Sequence, residues 1–181
     1  MSSALAQSRL FDAPAAGLYP LSVPAANELL TTWGHKLGPC ERPFHSEAFA
    51  FELHGEPIAV AISASIVGVT AAGYPREQVV ELARQAAKER WVNRVMIRLW
   101  REICAPAWPC WPVWAAVSYS KNSTHSGDLY RFDGWRKVSE ECGSGGGGTW
   151  SNPTPEARAG SKTVWCFDYP QKRVMQVRER T

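Results

Sequence analysis

Hydrophobic and polar positions change period several times along the chain, and each change marks an element. From Glu47 to His54, Ala48, Ala50 and Glu52 alternate with Phe49, Phe51 and Leu53, the period of two that predicts a strand with one strongly apolar face. His54-Gly55-Glu56-Pro57 reads as a hairpin turn, and Ile58 to Ile66 is too continuously apolar to leave a solvent face, so it predicts a buried second strand. After a glycine-containing link, Gln78 to Arg84 reads as a third strand. The period then becomes helical. Val92, Val95, Met96, Leu99 and Ile103 fall at i, i+3, i+4, i+7 and i+11, which predicts a helix over Asn93 to Cys104 with a buried stripe, and Arg90, Arg94, Arg98 and Arg101 fall on or near another side.

Upstream, Leu18 to Val23 fits a first edge strand, and Pro24 opens a helix whose Ala26, Leu29, Leu30 and Trp33 would pack on a sheet. Downstream, Trp111 to Val138 reads as strand, loop, short helix and strand, with Pro112 to Tyr119 as its first strand, and Lys162 to Tyr169 would complete the sheet. The pattern predicts one α/β domain with a twisted mixed central sheet flanked by helices. Its expected limits are a flexible N-terminus over residues 1–18, the domain over 19–170 and a basic tail over 171–181. Chemistry collects where a strand of an open α/β sheet ends and the chain turns into a crevice, and Ser118 and Tyr119 stand at such an end.

Composition narrows the class. A length of 181 residues, 45% of them hydrophobic, suits one folded domain. No apolar run approaches the roughly 20 residues that a membrane helix needs, so the expectation is a cytoplasmic protein with no membrane partner. The five cysteines, Cys40, Cys104, Cys110, Cys142 and Cys166, are odd in number and widely spaced, which fits reduced, buried thiols. No C-x-x-C pair is present, and no metal site is expected. A net charge of +3 says little by itself, but nine tryptophans among Arg and Lys suit both a filled core and a surface that stacks on bases.

Two motifs carry a resemblance. Leu129-Tyr130-Arg131-Phe132-Asp133-Gly134-Trp135 resembles the L-Y-x-x-x-G-F/W signature of the GNAT superfamily of N-acyltransferases. The longer run from Ser118 to Trp135, S-Y-S-K-N-S-T-H-S-G-D-L-Y-R-F-D-G-W, is similar to the pattern of the phage Mom DNA-modification proteins and their relatives, and a Gly-rich turn with T-W-S follows it over Gly143 to Asn152. The resemblance implies a GNAT-like domain that modifies the exocyclic amine of adenine in DNA and so protects phage DNA from restriction. Such a reaction needs an extruded base and a group that handles a proton.

Residue by residue, the resemblance implies that Tyr130 protonates a departing thiolate, and that Ser118, His125 and Glu81 share the hydrogen bonding and proton transfer. Tyr119, Lys121, Arg98, Trp135 and His45 are the candidates for nucleic-acid contact, Tyr119 and Trp135 by stacking together with Trp91 and Tyr130. His35 and His45 lie in the proline-containing loop that walls the acceptor site in acyltransferase folds. CoA-dependent relatives hold the pyrophosphate with a Q/R-x-x-G-x-G/A loop before the main helix, whereas this chain reads Lys88-Glu89-Arg90-Trp91-Val92-Asn93, without glycine. Arg90, Asn93 and Arg94 are therefore the candidates for holding the anionic part of an acyl-CoA-like donor, whose identity stays open. Lys121 stands where the Mom-like pattern has an acidic residue, with Asp128 as a substitute carboxylate. Two alternatives stay open beside DNA modification: a non-catalytic nucleic-acid-binding module on the same fold, and an ordinary N-acetyltransferase acting on a small amine or protein.

Overall fold

The computed structural model describes residues 15–121, 126–142 and 162–170. The chain begins with strand β1 (Ala16–Leu21) and helix α1 (Val23–Thr32), whose N-cap Ser22 accepts a hydrogen bond from the Ala25 amide at 3.3 Å, with Pro24 in the first turn. Strands β2 (Ser46–Leu53) and β3 (Glu56–Ala64) form the expected hairpin, turning through His54 and Gly55 at positive φ. A small hairpin, β4 (Thr70–Ala71) with β5 (Tyr74–Pro75), occupies what reads in the sequence as a plain link. Then come β6 (Val79–Ala87), α2 (Val92–Leu99), β7 (Ala115–Lys121), the one-turn helix α3 (Asp128–Arg131), β8 (Arg136–Cys142) and β9 (Lys162–Asp168).

Seven of these strands form one mixed sheet in the order β1-β2-β3-β6-β7-β9-β8. Every neighbouring pair is antiparallel except β6 and β7, which run parallel at the centre. Helix α1 covers one face: Ala26 and Leu30 pack with Cys40, Ala48, Val60, Ile62 and Ala83. On the other face Val92, Met96, Ile97 and Trp100 pack with Ala59, Ala61, Val80, Leu82, Ala116 and Trp165. Cys40, Cys104 and Cys166 are buried free thiols, while Cys110 is exposed. Burial in apolar surroundings pushes the Cys104 and Cys166 thiols up to about 12 and removes them from thiolate chemistry at neutral pH.

The buried stripe of the main helix differs from the expected one. Val92 and Met96 are in the core, but Ile97, Trp100 and Cys104 take the places foreseen for Val95, Leu99 and Ile103, and Ile103 is 51% exposed. After Leu99 the helix widens into a π turn over Trp100–Cys104, and the Ala105 amide donates to the Trp100 carbonyl, five residues back, at 2.8 Å. The buried positions keep helical spacing from α2 through that turn, so the stripe is already rotated from the expected one at Ile97, upstream of it. Arg101, one turn beyond Ile97 and expected near the basic side, is buried with it.

No described helix is long and apolar enough to cross a membrane. The Asp168 carboxylate ties the small hairpin to the sheet, accepting from Tyr74 Oη at 2.8 Å and from Arg136 at 2.6 and 3.1 Å. Arg136 holds that carboxyl below its usual range.

Trp100 is the largest fully buried side chain, and its Nε1 donates to Ser63 Oγ at 2.8 Å between helix and sheet. Trp100→Ala should lower unfolding free energy by about 3–5 kcal/mol through the cavity it leaves. Trp100→Phe keeps most of the volume but strands the Ser63 hydroxyl, and should cost about 1–3 kcal/mol. Urea unfolding checks both; equal stability of wild type and Trp100→Phe would show that the indole N–H bond contributes nothing.

Candidate functional site

Strands β6 and β7 are hydrogen-bonded partners over only four residue pairs, from Val79 with Ala115 to Leu82 with Ser118. Each then continues with its other neighbour, β6 to Ala87 along β3 and β7 to Lys121 along β9. The sheet therefore opens at its centre, immediately after Leu82 and Ser118. A bulge lies at the same point: Leu82 pairs with Ser63 and Arg84 with Ile62, leaving Ala83 without a partner on β3. A bulge bends its strand and frees backbone polar groups, so the opening is lined by main chain that has lost its ladder on one side.

On the α2 face of this opening stands Tyr130. Its hydroxyl is 2.9 Å from Ser118 Oγ, and Ser118 Oγ donates to the Leu82 carbonyl at 3.1 Å. A serine hydroxyl has one proton, so with that proton on Leu82 the Tyr130 O–H is the donor to Ser118. The phenol ring stacks on Trp165 at 5.5 Å between centroids and meets Trp135 edge-on at 5.5 Å. Burial pushes the Tyr130 hydroxyl above its ordinary range, the negative field of Glu81 adds to this, and the Ser118 hydrogen bond pulls the other way. The phenol thus stays protonated at neutral pH.

The local sequence explains how Tyr130 is held. Gly127, at φ +76°, precedes α3, and a Cβ there would lie 2.2 Å from Trp165 Cζ2. Gly134, at φ +81°, closes the helix while the Trp135 amide returns to the Tyr130 carbonyl at 3.0 Å. Asp133 locks the unit to α2: it accepts from Arg98 Nε at 3.0 Å, from Arg101 Nη1 at 3.0 Å and from Trp135 Nε1 at 3.2 Å.

Glu81 lies on the opposite face. Side chains alternate along a strand, and Leu82 shares Ser118's face, so Glu81 points toward the α1 side beside Val117. It is 4% exposed and ion-paired with Arg42, from the loop that crosses β6. That loop is pinned by Asn27, which accepts from the Cys40 amide at 2.7 Å and donates to its carbonyl at 3.3 Å, and by Arg84, which donates to the Gly38, Pro39 and Ala83 carbonyls. Burial pushes the Glu81 carboxyl above the usual carboxylate range, opposed by Arg42, Arg84 and Lys162.

The structure thus brings Ser118 and Tyr130 together and places Glu81 across the sheet from them; His125 lies outside the described residues. Trp135 is 4% exposed, so the stacking role expected of it is excluded by its place in the core against Trp100. Tyr119 points to the face opposite Ser118 and packs near Ile66 and Val117, away from Tyr130. Lys121 is on that same face, opposite Lys162. His45 lies edge-on against Trp108 at 5.1 Å and 3.7 Å from Glu47. Asn93 is engaged by Gln85, whose amide donates to its carbonyl at 2.8 Å and to its side-chain oxygen at 3.3 Å. Arg90 is exposed, Arg94 lies over the Phe132 ring at 5.4 Å, and Arg98 pairs with Asp133. Arg94, Arg98, Val95, Leu99, Leu129 and Phe132 line a groove of about 570 Å³ between α2 and α3. Arg42 carries no motif, and only the fold shows its contact with Glu81. Among the described residues no group of three His, Cys, Asp or Glu side chains is placed to hold a metal ion.

No protein-family model and no curated protein matches the sequence. Solved structures match the fold. A chimera of the spermidine N-acetyltransferase SpeG from Vibrio cholerae and hSSAT has 8% identity and a TM-score of 0.57, covering 90% of this chain and 99% of its own. A probable acetyltransferase from Staphylococcus epidermidis has 11% identity and a TM-score of 0.55, covering 86% and 99%. The Campylobacter jejuni N-acetyltransferase PseH in complex with acetyl coenzyme A has 13% identity and a TM-score of 0.51, covering 86% and 99%. At these identities the likeness is one of fold: the chain has the α/β fold of the GNAT acetyltransferases.

Gly127→Ala tests how the helix that carries Tyr130 is held. The new methyl group must displace Trp165 from beneath Tyr130, in a backbone conformation that disfavours alanine, at a cost of about 1–3 kcal/mol for the backbone alone. Chemical unfolding should show that loss and tryptophan fluorescence should shift. Unchanged stability would mean that Gly127 is not needed at positive φ.

Proposed function

We propose that the protein is an N-acyltransferase that moves an acyl group from a thioester to an amine at the parting of β6 and β7. The observation that carries this reading is the hydrogen-bonded chain from Tyr130 through Ser118 to the Leu82 carbonyl, set at the mouth of the opening. The generic N-acetyltransferase reading stands ahead of DNA modification: of the four residues expected to stack on an extruded base, Trp135 is internal, Tyr119 faces away from Tyr130, the Tyr130 ring is already stacked on Trp165, and Trp91 alone is well exposed.

The chemistry follows from which group stands on which face. An amine approaching from the α1 side meets Glu81, whose raised pKa suits it to accept the proton that the amine loses as it attacks the acyl carbon. Unpaired main chain around Ala83 can polarise the acyl oxygen. As the C–N bond forms and the C–S bond breaks, negative charge gathers on sulfur on the α2 side, where an unpaired charge would be costly. Tyr130 is there to protonate it. Ser118 can then turn its O–H from Leu82 to the new phenolate, which is the physical content of its downward pull on the Tyr130 pKa. The tyrosine recovers its proton from solvent, and the product leaves as amide and free thiol.

A coenzyme A-type donor is implied by the fold, and supplies the activated acyl thioester. The opening fits the pantetheine end, since an extended arm bearing amides adds to freed strand edges as another strand would, and the groove beside Leu129 and Leu99 is apolar. The diphosphate fit is different. The Val92 amide donates to Glu89 and the Arg94 amide to Trp91, each at 3.1 Å, and the turn has no glycine, so the helix start offers no open backbone cradle. Arg90, Arg94 and Arg98 are the side chains left to meet phosphate.

Release of thiol from acetyl coenzyme A in the presence of an amine panel tests the reading, with DNA as one acceptor. Tyr130→Phe should keep the fold and lower kcat by about 10²–10⁴. Undiminished turnover in that variant would overturn the assignment.

The pH profile tests Glu81. A base must be deprotonated to act, and burial raises the Glu81 pKa, so kcat/KM should climb with pH through a limb lying above the ordinary carboxylate range of about 4.3. Glu81→Gln should abolish that limb. A limb that persists unchanged in Glu81→Gln would assign the proton to another group.

A further inference from the structure

On the α1 side of the opening three basic side chains act on one buried carboxylate. Arg42 and Arg84 come from the crossing loop and from β6, and both act on Glu81. Lys162 stands at the open end of β9, on the same face as Glu81, and its field reaches that carboxylate. Two guanidinium groups and one ammonium group thus act on one buried carboxyl. Among them Arg84 is committed to loop carbonyls, and burial together with the nearby charge of Arg42 lowers its pKa. Arg42 differs: its backbone is held near Cys40, but its guanidinium reaches inward to Glu81, where it blocks the group that would take the amine's proton.

Resting on the acyltransferase reading, we infer that the acceptor is a small amine carrying an anionic group, and that this anion draws Arg42 off Glu81 and so frees the carboxylate for the amine. A carboxylate or phosphate recruits Arg by a two-pronged hydrogen bond, and Lys162 at the mouth adds attraction without needing fixed geometry. A polycation entering the same wall would set its charges against Arg42, Arg84 and Lys162, so an acceptor such as spermidine, named for one structural neighbour, is disfavoured here. The step balances: the amine nitrogen bonds to the acyl carbon, its proton passes to Glu81, the C–S bond breaks, and sulfur takes the Tyr130 proton. Arg42 is then a specificity residue that also gates the base.

The test uses the whole chain with acetyl coenzyme A and four amines: β-alanine and phosphoethanolamine as anionic probes, ethanolamine as the neutral counterpart and spermidine as the cationic one. The anionic amines should exceed ethanolamine in kcat/KM by about tenfold or more, the worth of one charge-assisted pair, with spermidine last. The preferred anionic probe distinguishes a carboxylate from a phosphate. Arg42→Gln should erase that preference while leaving ethanolamine turnover equal or higher, since the base is no longer covered. Lys162→Glu, a change at a partly exposed strand end, should lower kcat/KM for the anionic amines by a larger factor than for ethanolamine, which feels only the loss of the Lys162 field on Glu81, and it serves if Arg42→Gln does not fold. Calorimetric binding of both anionic probes without donor gives a readout independent of turnover. If no amine is acylated but an anionic probe binds and Arg42→Gln abolishes that binding, the acyltransferase reading fails and the anion site stands. If ethanolamine or spermidine matches the anionic amines, or neither anionic probe binds, the inference is overturned.

Discussion

The interruption of one strand pairing governs this molecule. β7 is paired with β9 along its whole length, β6 is paired with β3 through a bulge, and the two hold each other over only four residues. A twisted sheet cannot keep both outer pairings and also extend this central parallel one once β6 has bent at Ala83. Keeping the outer ladders opens the centre. A gap at the centre of a sheet differs from an edge: both walls are rigid, each is backed by helix packing, and both faces give access to the same few backbone atoms.

The same geometry sorts the reactive groups. Leu82 and Glu81 are neighbours in sequence and point to opposite faces, and the Leu82 to Ser118 pairing fixes which face Ser118 shares. A slip of one residue in that register would put Glu81 beside Tyr130 and bring the two hydroxyls apart. As built, Glu81 and Tyr130 lie on either side of the opening, which is the arrangement that the proposed addition from one side and departure on the other requires. Their separation also lets each be tuned alone: Glu81 by burial against a basic loop, Tyr130 by burial between tryptophans.

Much of this was legible in the residues, and the exceptions have physical causes. The alternation over Glu47 to His54 and the apolar run from Ile58 located β2 and β3, because a strand's period survives any packing partner. The L-Y-x-x-x-G-W motif located Tyr130, since a glycine after one turn of helix stops it and returns the chain. Periodicity misplaced the stripe from Val95 onward because the apolar positions of the helix fit two adjacent stripes, one through Val95 and Leu99 and one through Ile97 and Trp100, and packing on the sheet selects the second. Trp135 was misread for another reason. A tryptophan after a turn suits a core and a stacking surface equally, and only the Asp133 carboxylate accepting its N–H, in a place closed off by Trp100, settles it as core. Arg42 has no local signature because its partner is 39 residues away.

The π turn and the acid are connected. A helix of one turn such as α3 has almost no stability of its own, so whatever fixes Tyr130 must come from outside it. The outside element is α2 and its widened end. Arg101, one turn after the buried Ile97, faces inward, where it bonds both the carbonyl and the carboxylate of Asp133, while Arg98 from the preceding turn takes the other carboxylate oxygen. Asp133 in turn receives the Trp135 N–H, and Trp135 meets the Tyr130 ring. The links from Arg101 through Asp133 and Trp135 are directional and buried, while Arg98 stands mostly in solvent, so a displacement of the helix end is passed to the phenol chiefly through Arg101. Because the groove between α2 and α3 is bounded by Arg98 and Asp133 themselves, a donor lying in it would press on the very pair that sets the position of the tyrosine. The groove and the tyrosine are thus mechanically linked through Arg98 and Asp133, so that a change at one is felt at the other.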